Sequence, residues 1–280
     1  MAARFTVLSS SSSGNCSLLD VDGRGVLVDF GIGPRKLTRL LDMCQTPWDA
    51  VAAVVLTHLH SDHWCEPTLN LLGKCGIPLW CHPEHTAELE FRSEVFRDLQ
   101  RAGLVSHYQA NQTFALGACT CTPLPLWHDV LTFGFRFDGV DDPWALGYAA
   151  DLGCWAGDLV DRLAEVDLLA LEFNHDVAMQ LTSRRDESLI ERVLGDAGHL
   201  SNVQASKLLA EIIRRTTPGR LRHVVPLHIS RECNHHDHIH AAINPVRDAH
   251  RAEFTVHPAD HSAPTPWFSL SAHERLACRD

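Results

Sequence analysis

The sequence predicts an α/β layered fold, with sheets covered by helices, on three observations. Short apolar runs rich in Val, Leu and Ala recur along the chain: "RFTVL", "NCSLLDV", "GVLVDFG", "VAAVVLTH", "TCTPLPLWHD", "ALGYAADLG", "VDLLALEFNH" and "RHVVPLHIS". Each has the length of a strand and is bounded by Gly, Pro, Asp or His. Helical patterns lie between them, which is the arrangement of sheets with helical cover. The third observation concerns function: Asp29, His58, His128, Asp151, Glu172 and His228 each stand at the C-terminal end of one of these runs. Buried strands seldom finish on an ionisable group so often by accident, and loops beyond strand ends are where a scaffold presents its chemistry.

Along the chain, the patch "SSSSSG" (Ser9 to Gly14) separates the first two strand-like runs. A helix is predicted from Pro34 to Cys44, opened by a proline at a first-turn position. One long amphipathic helix is predicted from Pro83 to Arg101, stopped by Gly103. A third, Ser201 to Arg215, starts with a Ser-x-x-Gln capping box and ends in arginines that suit a helix C-terminus. The histidine-rich "HHDHIH", His235 to His240, reads as a solvated loop. No repeat and no low-complexity linker divides the chain, so residues 1–280 are expected to form a single domain.

Composition limits the function. The 280 residues are 45% hydrophobic and 21% charged, enough for a sizeable core. The formal charge of −11, from 35 acids against 24 bases, provides no global basic field for a polyanion. A nucleic-acid substrate would need local positive charge or metal. The 10 cysteines include no CxxC pair, no secretory leader precedes "MAARFTVLSSSSSGN", and no apolar run reaches membrane-spanning length. These features predict a cytoplasmic protein with reduced thiols and no membrane partner.

The chemistry concentrates in "LTHLHSDHWC", residues 56 to 65. In His58-x-His60-x-Asp62-His63, the first two histidines can turn to one metal while Asp62 and His63 turn to its neighbour. That is two ligands per metal, so others must come from the strand ends. His128 is assigned to the first metal, His228 to the second, and Asp151 to both, because a carboxylate can place one oxygen on each cation. Asp151 is preferred to Asp158 because it directly ends "LGYAAD". Asp29 is assigned not to metal but to a ligand histidine's other N–H, where it would fix the tautomer. Ligation by N and O without thiolate points to two divalent ions, zinc or manganese, with iron also compatible. Two metals ~3.5–4 Å apart suit in-line attack on a phosphate ester, with a bridging hydroxide as nucleophile and Asp62 among the catalytic residues.

These residues carry a resemblance. The chain resembles the metallo-β-lactamase fold, an αββα sandwich with a dinuclear site at one edge, whose signature is His58-x-His60-x-Asp62-His63. The match is closest to YycJ/WalJ-like proteins, through Ser9 to Asn15, Asp29 to Gly31, Asn174 to Asp176, Gly198 to Asn202 and His228 to Asn234. The first loop is serine-rich where the family often has glycine, and Ile229 replaces leucine; neither is a proposed ligand. The resemblance implies a 5′→3′ exonuclease acting on double-stranded DNA. The chain also resembles tRNA 3′-processing endonucleases, in which a glutamate and a histidine form a proton relay. Glu172 and His199 match those positions, so His199 would be a general acid held by Glu172. There is no room for the large extra domain of β-CASP nucleases, and no Gly/Pro-rich arm for holding tRNA.

The leading expectation is therefore a dinuclear phosphodiesterase acting on nucleic acid, DNA before RNA. Ser201 at a helix N-terminus, Arg231 and the Arg184-Arg185 pair are the candidate phosphate-binding groups. The alternatives are a hydrolase of cyclic phosphodiesters, thioesters or lactones on the same fold, an RNA-processing nuclease, or a non-catalytic metal-binding module. The last would be signalled by a missing ligand type, and none is missing.

Overall fold

In the computed structural model, which describes residues 2–270, the strands form two seven-stranded sheets. The first comprises β1 (Ala3–Ser9), β2 (Cys16–Val21), β3 (Arg24–Val28), β4 (Val51–Val55), β5 (Leu79–Cys81), β6 (Val105–His107) and β14 (Phe268–Ser269). They lie in the order β14-β1-β2-β3-β4-β5-β6. The second comprises β7 (Phe114–Leu116), β8 (Cys119–Leu126), β9 (Thr132–Gly139), β10 (Ala145–Ala149), β11 (Leu168–Glu172), β12 (His223–Leu227) and β13 (Thr255–Val256). Their order is β13-β12-β11-β10-β9-β8-β7. Nine α-helices are described: α1 (Pro34–Met43), α2 (Glu66–Cys75), α3 (Pro83–Arg92), α4 (Glu94–Arg101), α5 (Gly157–Leu163), α6 (Val177–Leu181), α7 (Glu187–Leu194), α8 (Asn202–Arg214) and α9 (His236–His250).

Local sequence explains both kinds of pairing. β2 and β3 pair antiparallel across Asp22-Gly23, and both residues have positive φ (52° and 79°). That is the two-residue turn whose twist matches a hairpin, and Asp-Gly is among the sequences that favour it. From β3 to β6 the pairing is parallel, because the intervening segments are helical crossovers. β10, β11 and β12 are also parallel and buried at nearly every position, as strands covered on both faces should be. Their register aligns Ala149 with Leu171 and Glu172 with Leu227, so the C-terminal ends of all three strands come out at one level.

The chain divides into two compact units. One holds the described residues up to Pro123, with Asp138–Trp144 and the described residues from Asp260 on; the other is Leu124–Phe137 with Ala145–Ala259. Each has its own helix-covered core. In the first, Leu37, Leu40 and Leu41 of α1, Leu69 and Leu72 of α2, and Phe96 and Leu99 of α4 pack with Leu18, Leu27 and Val54 of the sheet. In the second, Ala205, Leu208, Leu209 and Ile212 of α8 and Ile239 and Ile243 of α9 pack on Leu169, Leu171 and Val224. The α8 residues recur at the three- and four-residue spacing of a single helix face.

Three sequence expectations need correction. The single helix expected over Pro83 to Arg101 is two, because Ser93 leaves helical geometry (φ −135°, ψ 122°) and its hydroxyl accepts the Phe96 N–H to start α4. His235 to His240 is not a solvated loop: His235 caps α9 and the next residues form its first turn, with Ile239 buried. The strand-end groups mostly lie one to three residues beyond the regular strands, with Glu172 alone still inside one. Asp29, Asp151 and His228 have left-handed backbones, φ 62°, 63° and 51°. Such conformations are uncommon for residues other than glycine. They turn the chain sharply as it leaves β3, β10 and β12.

Candidate metal centre

In the first unit, the exits of β3 and β4 lie side by side and build a buried hydrogen-bonded frame. The Thr57 N–H donates to Asp29 Oδ1 at 2.8 Å, and the Thr57 hydroxyl lies 2.9 Å from Asp29 Oδ2. His63 donates from Nδ1 to Asp29 Oδ2 at 2.7 Å, with both side chains fully buried. With its proton given to Asp29, the Thr57 oxygen is left to accept from His58 Nδ1, 2.9 Å away. Both histidines thus have Nδ1–H engaged and present Nε2 as the acceptor, the tautomer that ligates a cation. Burial pushes the Asp29 carboxyl up, while the His63 contact and the Thr57 hydrogen bonds pull the other way.

The loop from His58 to His63 is held by hydrogen bonds from two neighbouring segments. Asn15 reaches from the serine-rich segment, and its amide donates to Asp62 Oδ2 (3.1 Å) and lies 3.0 Å from His63 Nε2. Asn15 N–H also donates to the Asp62 carbonyl at 2.7 Å, and Phe30 N–H to the His63 carbonyl at 3.0 Å. Gly31 allows this approach: a Cβ there would lie 1.7 Å from the Asp62 carbonyl oxygen. The His58 ring stands 4.0 Å from that of His63 and 4.8 Å, edge-on, from that of His60.

In the second unit, ligand atoms of Asp151, Glu172, His199 and His228 all lie within 4.8 Å of one another. Glu172 is the centre of this group and is fully buried. Its Oε1 accepts from His199 Nδ1 at 2.8 Å and faces His228 Nδ1 at 3.2 Å. Its Oε2 accepts the backbone N–H groups of Leu152 (3.0 Å) and Leu200 (3.3 Å). Burial by itself would raise the Glu172 carboxyl, but His199 and the hydrogen bonds from both histidines outweigh it and hold the group below the usual carboxylate range. It is a carboxylate whose acceptor sites are filled. His228 Nε2 lies 3.4 Å from Asp151 Oδ1. The amide of Asn174 donates to the His228 carbonyl at 2.8 Å and fixes the loop after β12. Asn202 and Asn234 exchange a reciprocal amide pair at 2.8 and 2.9 Å, joining the start of α8 to that loop. His128 donates from Nδ1 to the Gly198 carbonyl at 2.9 Å, and its ring stands 5.1 Å from that of His199.

By contrast, His175 is a structural histidine. It is fully buried, and burial takes its ring down to about 4, so it is neutral at ordinary pH.

The phosphate candidates differ from one another. The Ser201 hydroxyl is committed to the capping box, donating to Gln204 Oε1 at 2.6 Å and accepting the Gln204 N–H at 3.2 Å. Arg185 is pinned by Glu232 (3.0 Å), Gln180 (3.3 Å) and Ser230 (3.2 Å). Arg184 and Arg231 are exposed.

Sequence reasoning named Asn15, Asn174, Asn202 and Asn234 only as ends of the stretches that carry the resemblance, gave them no role, and did not name Thr57, because short polar residues in loops read as turn formers. The available signal was their position within or beside the histidine motifs.

A family model described as "Beta-lactamase superfamily domain" matches residues 24–229. Among curated proteins, the exodeoxyribonuclease WalJ of Streptococcus pneumoniae is 27% identical over 232 residues, covering 82% of this chain and 83% of that protein. The exodeoxyribonuclease YycJ of Bacillus anthracis is 23% identical over 279 residues, covering 95% and 98%. Among solved structures, the metallo-β-lactamase fold protein YhfI of Bacillus subtilis aligns with a TM-score of 0.69 at 19% identity, covering 96% of this chain and all of that one. The short form of human tRNase Z aligns with a TM-score of 0.61 at 17% identity, covering 96% and 99%.

Proposed function

This chain belongs to the beta-lactamase superfamily domain family and is a hydrolase of the metallo-β-lactamase fold, and on that premise we propose that it is a dinuclear metal-dependent nuclease, a 5′→3′ exonuclease on double-stranded DNA. The curated relatives named exodeoxyribonucleases support the choice of DNA. We take residues 1–280 as one hydrolase domain, since the family match draws on both units. With that substrate goes the proposal of a cytoplasmic location; among the described residues no helix is long and apolar enough to cross a membrane.

The donor set fits two divalent ions, zinc or manganese, with iron also compatible. His58 and His63 have Nδ1 engaged, which leaves Nε2 of each as the acceptor nitrogen, and the carboxylates of Asp62 and Asp151 would supply oxygen. We assign His58, His60 and His128 to one ion, Asp62, His63 and His228 to the other, and Asp151 to both. When bound, the ions would activate water and neutralise phosphoryl charge.

The observation that carries the reading is the His199–Glu172 contact of 2.8 Å. With Nδ1–H donated to a saturated carboxylate, Nε2 is the nitrogen left to move a proton. A phosphodiester must expel an alkoxide, and a histidine in this setting can deliver its proton. A simple cation-binding module needs no such group. Arg184 and Arg231 are the cations we assign to the substrate backbone, with the N-terminus of α8 as a further phosphate contact. Arg185 and Ser201 serve mainly to hold the surrounding loops.

The test is incubation of the metal-loaded protein with end-labelled duplex DNA, single-stranded DNA and RNA. Stepwise release of nucleotides from the 5′ end of duplex DNA is expected. Turnover of thioesters or cyclic phosphodiesters with no cleavage of any nucleic acid would overturn the proposal.

A further inference from the structure

The residue after His128 has no part in the assignments above, yet its carboxylate lies against the His128 ring nitrogen. Asp129 Oδ2 is held by Arg192 of α7, whose Nε donates at 2.7 Å and whose Nη2 lies at 2.5 Å. That pair aims the other oxygen, Oδ1, at His128 Nε2, 3.2 Å away. On the far side of the ring, Nδ1 donates to the Gly198 carbonyl. A carbonyl can only accept, so Nδ1 carries the ring proton and the neutral ring has its lone pair on Nε2. Two electron-rich atoms therefore face each other at hydrogen-bonding distance. Such a contact is stable only with a positive charge between them, either a second ring proton or a metal ion.

The surroundings favour the ion. A ligating histidine gives its other N–H to a carbonyl or carboxylate, and a ligating carboxylate is itself hydrogen-bonded; both features are present here. Two ligands bonded to one ion at ~2.0–2.2 Å stand roughly 3–3.5 Å apart, which the observed separation matches. The support is also rigid. His199 N–H donates to the Val193 carbonyl at 3.0 Å and Gly198 N–H to the Gly195 carbonyl at 2.8 Å. A Cβ on Gly198 would lie 2.2 Å from the Arg192 carbonyl. The end of α7 therefore positions Arg192 and Gly198 together, and through them both Asp129 and His128.

We propose that Asp129 is a further metal ligand, donating Oδ1 to the ion held by His128, with Arg192 as its positioning residue. This rests on the dinuclear reading above. The carboxylate is partly open to solvent, with 29% of its side chain exposed, so replacing it should leave the fold in place.

The test uses full-length protein stripped of metal and titrated with Mn²⁺ or Zn²⁺ against a competing chelator dye. Wild type, Asp129→Asn, Asp129→Ala and Arg192→Ala are compared, with metal-free melting curves as the folding control. Two ions are expected to bind wild type. In both Asp129 variants one ion should weaken by about 10–100-fold while the other and the melting curve stay unchanged. Arg192→Ala should weaken the same ion by less. Two ions bound to both Asp129 variants with wild-type affinity would overturn the assignment and leave a proton-bridged pair. Loss of both ions with a lower melting temperature would also overturn it, as a structural effect. Wild type binding fewer than two ions would instead overturn the dinuclear reading.

Discussion

Glu172 holds two histidines with one oxygen and two backbone N–H groups with the other, so its substitutions separate charge from shape. In Glu172→Gln, an NH₂ group must face either donors from the rings or donors from the backbone. A buried donor is then left unsatisfied, at a cost of about 1–3 kcal/mol. The expected result is a lower melting temperature together with a ~10–100-fold loss of affinity for the ion on His228, read by denaturation and metal titration. His199→Ala should behave differently. Both ions should be retained, while cleavage of a natural phosphodiester falls by ~10²–10⁴-fold. A nitrophenyl phosphodiester, whose leaving group needs little protonation, should be far less affected, and equal losses on both substrates would remove the acid role. For the proposed bridging carboxylate, Asp151→Asn is the better probe than alanine. The position is left-handed (φ 63°), and asparagine tolerates that conformation where alanine is strained. Hydrolysis should be abolished with the fold retained, checked by assay and circular dichroism.

At the level of elements, two turns fix the geometry. Gly31 lies against the Asp62 carbonyl, and a methyl group there would overlap backbone rather than a side chain that could swing aside. Gly31→Ala should destabilise by at least about 1–3 kcal/mol and weaken metal binding through Asp62 and His63, measured by denaturation and titration. The capping box at Ser201 makes the opposite case, a stability device beside a catalytic candidate. Ser201→Ala should cost ~0.5–2 kcal/mol. If Ser201 held phosphate through its hydroxyl, KM would rise as well; the commitment of that hydroxyl to Gln204 predicts an unchanged KM. The elements themselves were largely legible: the helices at Pro34 and Ser201 and most of the strands follow from proline, capping and apolar runs. The break at Ser93 was not, because a serine within an amphipathic pattern is neutral until its hydroxyl finds the Phe96 N–H. The start of α9 was missed for a similar reason, since a histidine cap carries little local signal.

On the scale of the whole molecule, a net charge of −11 opposes a polyanionic substrate, so affinity should depend on a few local cations and fall with salt. Replacing both Arg184 and Arg231 with alanine should flatten the slope of log affinity against log salt by about 2, near 0.9 for each lost phosphate contact on duplex DNA. Arg185→Ala should change the slope little and stability more, given its ties to Glu232, Gln180 and Ser230. An unchanged slope in the double variant would take Arg184 and Arg231 off the proposed DNA path.

The class of the fold, the run ends that carry ionisable groups and the candidate ligands could all be read from the sequence. Those follow from local rules: the period of apolar residues, proline and glycine punctuation, and the affinity of imidazole and carboxylate for cations. How each candidate ligand is aimed was not legible there and depends on the packed fold. That Glu172 serves His228 as well as His199, that Thr57 stands between Asp29 and His58, and that Arg192 turns Asp129 toward His128 depend on strand register and on left-handed turns at Asp29, Asp151 and His228. A hydrogen bond is set by tenths of an ångström and by direction. Residues far apart in the chain reach that accuracy only when the packed core fixes the strands that carry them.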